Sequence, residues 1–142
     1  MPRVPAVAAV LAWINAHPTL SGSGKPLDLG AFRARPRSPG QGAYVLLYRL
    51  DGFGALTAEE PTDQARIAGV VYAGTDDKAE AAAVAYANAL EALTGAPTPM
   101  GDAVCLVAAD IVGPQLIDEQ AGNGEQFAYQ VDADFFLING GS

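Results

Sequence analysis

The sequence predicts a mixed α/β (α+β) domain with about four strands, an N-terminal helix and one long helix at about 76–93. Three observations support this class. A strand-like run at 65–73 passes through Gly74 into an alanine-rich segment with helical periodicity, and the last segment alternates apolar and polar residues. The chain has 142 residues, half of them hydrophobic, which suits one domain with a core that needs no disulfides.

The first half of the chain predicts one helix and two strands. A helix at 5–16 begins at a proline and carries apolar residues on one face. Residues 17–42, rich in Gly, Pro, Ser and Arg, predict a long irregular connection. Strands at 43–50 and 65–73 favour extended backbone, and the polar stretch 51–62 between them predicts a long exposed hairpin loop.

The long helix has clear start and stop signals. Thr75 offers an N-cap oxygen, and the two aspartates that follow place negative charge in the first turn. Gly95 and Pro97 mark the end. The apolar positions recur at steps of three and four residues: Ala79, Ala83, Tyr86, Leu90 and Leu93.

The last third predicts two strands, at 103–112 and about 126–138, joined by a long connection at 113–125. In the final strand, Asp132 and Asp134 fall on a polar face that we expect to be exposed. The predicted long loops are therefore 17–42, 51–62 and 113–125. Long connections are uncommon in a compact domain unless they are used, so 51–62 and 113–125 are candidate interaction elements. The apolar face of the final strand contains Phe127, Tyr129, Val131, Ala133, Phe135 and Leu137.

Charge is unevenly distributed along the chain. The net charge is −8, with +2 over residues 1–71 and −10 over residues 72–142. Such an acidic protein is a poor candidate for tight duplex binding, which depends on Lys and Arg. Segregated charge suits head-to-tail association of identical copies, provided that the two sequence halves are also two halves in space.

Motifs for catalysis, metals or cofactors are nearly absent. Cys105 lies in an apolar run and is expected to be a buried hydrophobic residue, and one cysteine with the single His17 supplies no structural metal set. The glycine-rich stretch around Lys25 lacks the first glycine and the final Ser or Thr of a phosphate-binding loop. We therefore expect no enzyme activity, cofactor or metal. No segment reaches the roughly 18 to 20 apolar residues of a membrane span.

Arg33, Arg35 and Arg37 are spaced by two residues in a segment that also contains prolines. If extended, they project to one side and can meet carboxylates of a neighbouring copy. A solvated basic loop and a contact with DNA phosphates are the alternatives.

The order of elements resembles the tail terminator (tail completion) proteins of long-tailed bacteriophages, of the lambda type. The resemblance spans nearly the whole chain. It is carried by the YVLLYRLDG strand, the ARIAGVVYAGTDDKAEAAAVAYANALEAL strand and helix, and the GPQLIDEQ segment before the last strand.

This resemblance implies a mostly antiparallel sheet flanked by helices, in a subunit of a hexameric ring. The ring would cap the tail tube, stop its elongation and offer a surface to the head–tail connector or stopper protein. Its place would be the tail and neck of the virion, after assembly in the host cytoplasm. Double-stranded DNA would pass through the lumen without specific binding. An acidic lumen would repel phosphates, and we expect it to be lined by some of Asp118, Glu119, Asp132 and Asp134.

Three alternatives remain open. The chain could form another ring of the same neck, as a head-completion or stopper protein. It could be a small-molecule-binding domain with a deep apolar pocket. It could be an enzyme with a carboxylate site, for which the candidates are Asp102, Asp110, Asp132 and Asp134.

Overall fold

The computed structural model describes residues 5–37, 40–50, 63–93, 96–117 and 127–139. Within these ranges the chain forms two helices and one curled sheet of six strands, which is a mixed α+β fold. Neither helix in this part of the chain has the length and apolar character that crossing a membrane requires.

The elements follow the predicted order, with two short strands added. The helices are α1 (Ala6–Ala16) and α2 (Asp76–Glu91). The strands are β1 (Gly30–Phe32), β2 (Tyr44–Leu50), β3 (Asp63–Ala73), β4 (Thr98–Met100), β5 (Ala103–Ile117) and β6 (Phe127–Asn139).

The sheet has the strand order β1-β2-β3-β6-β5-β4. Every neighbouring pair is antiparallel except β1 and β2, which are parallel. The central pair, β3 and β6, is in register without interruption from Asp63 opposite Leu137 to Ala73 opposite Phe127. This long ladder organises the domain, because the outer strands and both helices are placed relative to it.

Both helices pack on one face of the sheet. α2 lies against β3, β5 and β6, whereas α1 reaches β1 and β2 at one side and β4 at the other. The sheet must curl to bring both edges to α1. The predicted N-cap of α2 is confirmed, because the Thr75 hydroxyl accepts a hydrogen bond from the Lys78 backbone N–H at 3.2 Å. The predicted apolar positions of this helix are all buried.

The alternation predicted for the last strand is largely confirmed. Residues at every second position from Tyr129 to Leu137 are buried against the helices. Phe127 is the exception and is 44% exposed. It pairs with Ala73, the last residue of β3, so it lies at the end of the ladder.

The prediction of an irregular connection over 17–42 is wrong in part, since β1 lies inside it. Gly30 has a φ of +93°, a conformation that favours glycine, and the short strand then pairs with β2 through three residues. β4 was likewise missed, because Pro99 in a strand of three residues gives no strand signal. The sheet therefore has six strands and not about four.

The predicted end of the strand at residue 112 is also wrong, because β5 continues to Ile117. The Gly113–Pro114 pair indicated a turn, but the register between β5 and β6 shifts on both sides of Val112. Such bulges accommodate extra residues and a proline within a strand. Gly113, with a φ of +108°, lies so close to the Gln130 carbonyl that a side chain would clash. The remaining predicted loop residues, 51–62 and 118–125, lie outside the described residues.

Candidate functional site

Among the described residues, the second half of β5, residues 110–117, pairs with a strand on one side only, β6; we call it the β5 arm. β4 pairs only with Ala103–Cys105, at the beginning of β5. The Ala108 N–H, further along, donates to the carbonyl of Leu93 after α2. Beyond that bond, no strand among the described residues pairs with the outer side of the arm. The arm is therefore an open sheet edge.

The arm is apolar as well as open. Val112 is 50% exposed and Leu116 is 60% exposed, whereas Ala128 and Tyr129 on the partner strand are buried. Asp110 is the arm's only charged residue. A long, exposed and apolar edge strand is a template for pairing with another chain. This edge is the surface of the described fold best suited to an interaction.

Carboxylates flank the arm on the helix side of the sheet. Leu116 is opposite Tyr129, whose hydroxyl donates a hydrogen bond of 2.6 Å to the Asp76 carboxylate at the start of α2. That hydrogen bond, together with burial and the negative charges of Asp76, Glu80 and Asp77, raises the pKa of Tyr129 to about 12. The arm therefore lies beside the acidic first turns of α2.

On the other face, the two aspartates of β6 have different environments. Asp132 is half-buried, lies opposite Val112 and accepts hydrogen bonds from the Gln130 amide at 2.9 and 3.2 Å. Asp134 is only 6% exposed and forms an ion pair of 3.1 Å with Arg66. The expectation that Asp134 is exposed is wrong. Its cross-strand neighbour is Arg66, and the ion pair between the two side chains compensates the charge of the buried carboxylate.

The strand order separates the charges of the chain in space. β1, β2 and β3 belong to the basic half of the sequence and lie on one side of the sheet, while β6, β5 and β4 lie on the other. The predicted interface residues Arg33, Arg35 and Arg37 follow β1 and are all exposed. The exposed Asp102 lies in the turn before β5, and the exposed Asp110 lies in β5 itself. The basic segment follows β1 on one side of the sheet, and the apolar arm with its flanking carboxylates lies on the other.

The other residues considered from the sequence do not come together as a reactive site. Cys105 is buried as predicted, and burial raises its pKa to about 11 despite hydrogen bonding to the Val107 and Phe136 backbone. In the described ranges, no three His, Cys, Asp or Glu residues are grouped to hold a metal ion. Asp102 lies in the turn before β5, Asp110 lies within β5, and Asp134 is held by Arg66.

A cleft of about 410 Å³ lies between α1 and the turn that joins β4 to β5. Ala8, Ala9 and Ala12 line the helix side, and Gly101 and Asp102 line the turn. Ligand sites usually combine an apolar wall with several converging polar groups. This wall is built mostly from small apolar side chains, so the cleft gives little support to a specific small-molecule site.

The sequence predicts a strand only as far as residue 112, so it places residues 113–117 of the arm in a loop. It gives no signal for Asn15, whose side chain hydrogen-bonds the backbone of Ala31 in β1. A usable signal was present in the arm, since Ile111, Val112, Leu116 and Ile117 continue the apolar composition of β5 around the Gly–Pro pair. Two of the acidic residues considered for a channel, Asp118 and Glu119, lie outside the described residues.

Together the fold and the arm define, in the part of the chain that the structure describes, a small α+β domain with an open, apolar strand edge suited to association. The chain matches no known protein-family model and no curated protein.

Proposed function

We propose that this protein is a tail terminator of a long-tailed bacteriophage. In this role, copies of the chain form a ring, of the hexameric type, at the end of the finished tail tube. The ring stops further tube subunits from adding and presents its other face to the head–tail connector or stopper protein. The protein would act in the tail and neck of the virion, after assembly in the host cytoplasm.

The observation that carries this proposal is the open edge of the β5 arm beside an acidic surface, with an exposed basic segment on the opposite side of the sheet. An open apolar edge favours strand pairing with another chain. Opposite charge on opposite sides favours head-to-tail contacts, which close into a ring when the rotation between copies allows it.

The acidic surface also fits a channel for DNA. The net charge of −8 disfavours a grip on phosphates, so DNA can slide through a ring of such subunits without specific binding. Asp132 is only half-buried, so its charge can reach solvent in a lumen. The ion pair with Arg66 means that Asp134 contributes less repulsion than Asp132. Asp118 and Glu119 remain part of the channel proposal by sequence alone.

The proposed role is binding without turnover. The carboxylates considered for catalysis are exposed, bound by an amide or paired with an arginine, and within the described ranges they are not gathered in one place. Acid–base catalysis needs reacting groups within hydrogen-bonding reach of one substrate atom. The separation of these carboxylates supports a role in assembly over a role in catalysis.

The test is the mass of the protein in solution, measured by light scattering with and without purified tail tubes, followed by imaging of the tube ends. Rings at tube ends that block the addition of new tube subunits are the expected result. A protein that ignores tubes but binds the portal side of the neck would instead be a head-completion or stopper protein. A protein that binds neither would remove the proposal.

A further inference from the structure

The two exposed surfaces on opposite sides of the sheet complement each other. We propose that the β5 arm of one copy receives residues 33–37 of the next copy as an added strand. This inference deepens the proposed function, since it names the contact from which the ring is built, and it rests on the assembly of identical copies.

The arm has the properties of a strand acceptor. Its outer backbone edge is open beyond the bond between Ala108 and Leu93, and Val112 and Leu116 are exposed on opposite faces of the sheet. In strand addition, main-chain hydrogen bonds supply affinity, and side chains on both faces supply specificity. An added strand would cover the edge and bury these two apolar side chains.

Residues 33–37 have the charge that such a site requires. Asp76, Asp77 and Glu80 lie close to Tyr129 on the helix side of the arm, and Asp110 lies within it. The segment contains three exposed arginines at alternating positions. In an extended chain these side chains project to one face about 7 Å apart, which suits contacts with successive carboxylates.

The segment is also accessible. It follows β1 directly, belongs to no strand of its own copy and is exposed along most of its length. Pro36 removes one backbone donor, which a strand at a sheet edge tolerates.

Head-to-tail pairing is favoured over pairing of two arms. Two arms side by side would bring their flanking carboxylates together, and like charges repel. The β1 edge is closed to pairing because the Asn15 side chain already binds the backbone of Ala31. The arm and the segment after β1 are therefore different surfaces of each copy, so each copy can bind two neighbours.

The experiment uses two variants of the full chain, each with one surface altered. The segment variant carries Arg33→Glu and Arg37→Glu, and the arm variant carries Val112→Lys and Leu116→Lys. Matched controls are Lys25→Glu, an exposed charge reversal elsewhere, and Val84→Lys, since Val84 is 41% exposed on α2. Circular dichroism and thermal unfolding establish that every variant folds. Sedimentation velocity measures association over a concentration series up to the limit of solubility.

Each variant alone should associate at least about tenfold more weakly than the unaltered protein, and the controls should not. An equimolar mixture of the two variants should form a dimer with one copy of each and stop there. Such a dimer contains one intact arm and one intact segment in contact, and its other two surfaces are blocked.

The absence of a mixed dimer at every concentration would overturn the inference. Undiminished self-association of the segment variant would overturn it too, because that outcome points to pairing between two arms. Capping of tail tubes by the unaltered protein is scored separately. Capping without a mixed dimer keeps the proposed function and rejects this contact, whereas a mixed dimer without capping keeps the contact and rejects the function.

Discussion

The two sides of the sheet end in different ways. On the β1 side, the Ala31 N–H donates to Asn15 Oδ1 at 2.8 Å, and Asn15 Nδ2 donates to the Ala31 carbonyl at 3.1 Å. A side-chain amide thus takes the place of a neighbouring strand. On the β5 side, the arm runs for eight residues, 110–117, with an open outer edge and exposed apolar side chains.

This difference indicates that the open edge serves a purpose. Sheet proteins protect their edges with short strands, charges, bulges or covering groups, since open edges pair with other chains. β1 has two such protections, its length of three residues and the Asn15 amide. The arm has bulges and a proline, yet it keeps an apolar surface. We infer that the β1 edge is closed because it is not an interface, and that the edge of the β5 arm stays open because it receives a partner.

The largest expected effect comes from disrupting the protected edge at Gly30. Gly30→Ala should destabilise the fold by roughly 3 to 5 kcal/mol, because a φ of +93° strains alanine and its methyl group would displace the Asn15 amide. Urea unfolding with an unchanged slope measures this loss. Gly24→Ala is the control for a positive φ without a steric clash, since nothing lies near its Cβ position. Equal losses in the two variants would show that the Asn15 contact is unimportant.

A smaller effect is expected from removing the amide itself. Asn15→Ala leaves the N–H and carbonyl of Ala31 without these partners and should cost about 1 to 3 kcal/mol in the free energy of unfolding. Asn88→Ala, at an exposed position of α2, is the matched control. The variant should also aggregate at lower concentrations, because it opens a second edge. If solubility stays unchanged while stability falls, Asn15 stabilises the fold without protecting the edge.

Tyr129 lies opposite Leu116 of the arm. Tyr129→Phe should lower the free energy of unfolding by less than Asn15→Ala does, because it removes one hydrogen bond and not two. The pKa of Tyr129 is raised from 10.0 to about 12, so the stabilisation is complete below pH 10 and is lost as the pH rises towards 12. The difference in stability between the unaltered protein and the variant should therefore shrink over this range. A difference that stays constant up to pH 12 would contradict the role of the hydroxyl.

Much of this fold could be predicted from the sequence, and the failures have physical causes. The N-cap and periodicity of α2 are local signals and are confirmed. The alternation of β6 is also a local signal and is confirmed except at Phe127. β1 and β4 are three residues long and exist because they pair with distant strands, which local propensity cannot reveal. Gly113–Pro114 indicates a turn in any local analysis, whereas the bulged register with β6 keeps it in a strand.

The candidate site was harder to predict than the fold. The three arginines are identified from their spacing, but most of their proposed acceptor, the β5 arm, is predicted as a loop. The closing of the β1 edge depends on a contact between residues 16 positions apart. Asp134 was expected on an exposed face because the identity of its cross-strand neighbour, Arg66, depends on register. Edge protection and ion pairing are properties of the assembled sheet.

The smallest expected effect on stability is at the arm. Val112→Lys should change the free energy of unfolding by no more than about 0.5 kcal/mol, because the side chain is half exposed and a lysine can extend into solvent. Its effect on association should be large, since a lysine on an edge strand disfavours pairing with a basic segment. Urea unfolding measures the change in stability, and sedimentation velocity measures the change in association.

Val131→Lys, at a fully buried position on the neighbouring strand, should fail to fold stably and provides the contrast. A loss of stability at Val112 close to that of a buried valine would mean that the arm is part of the core, and the comparison between a closed and an open edge would no longer hold.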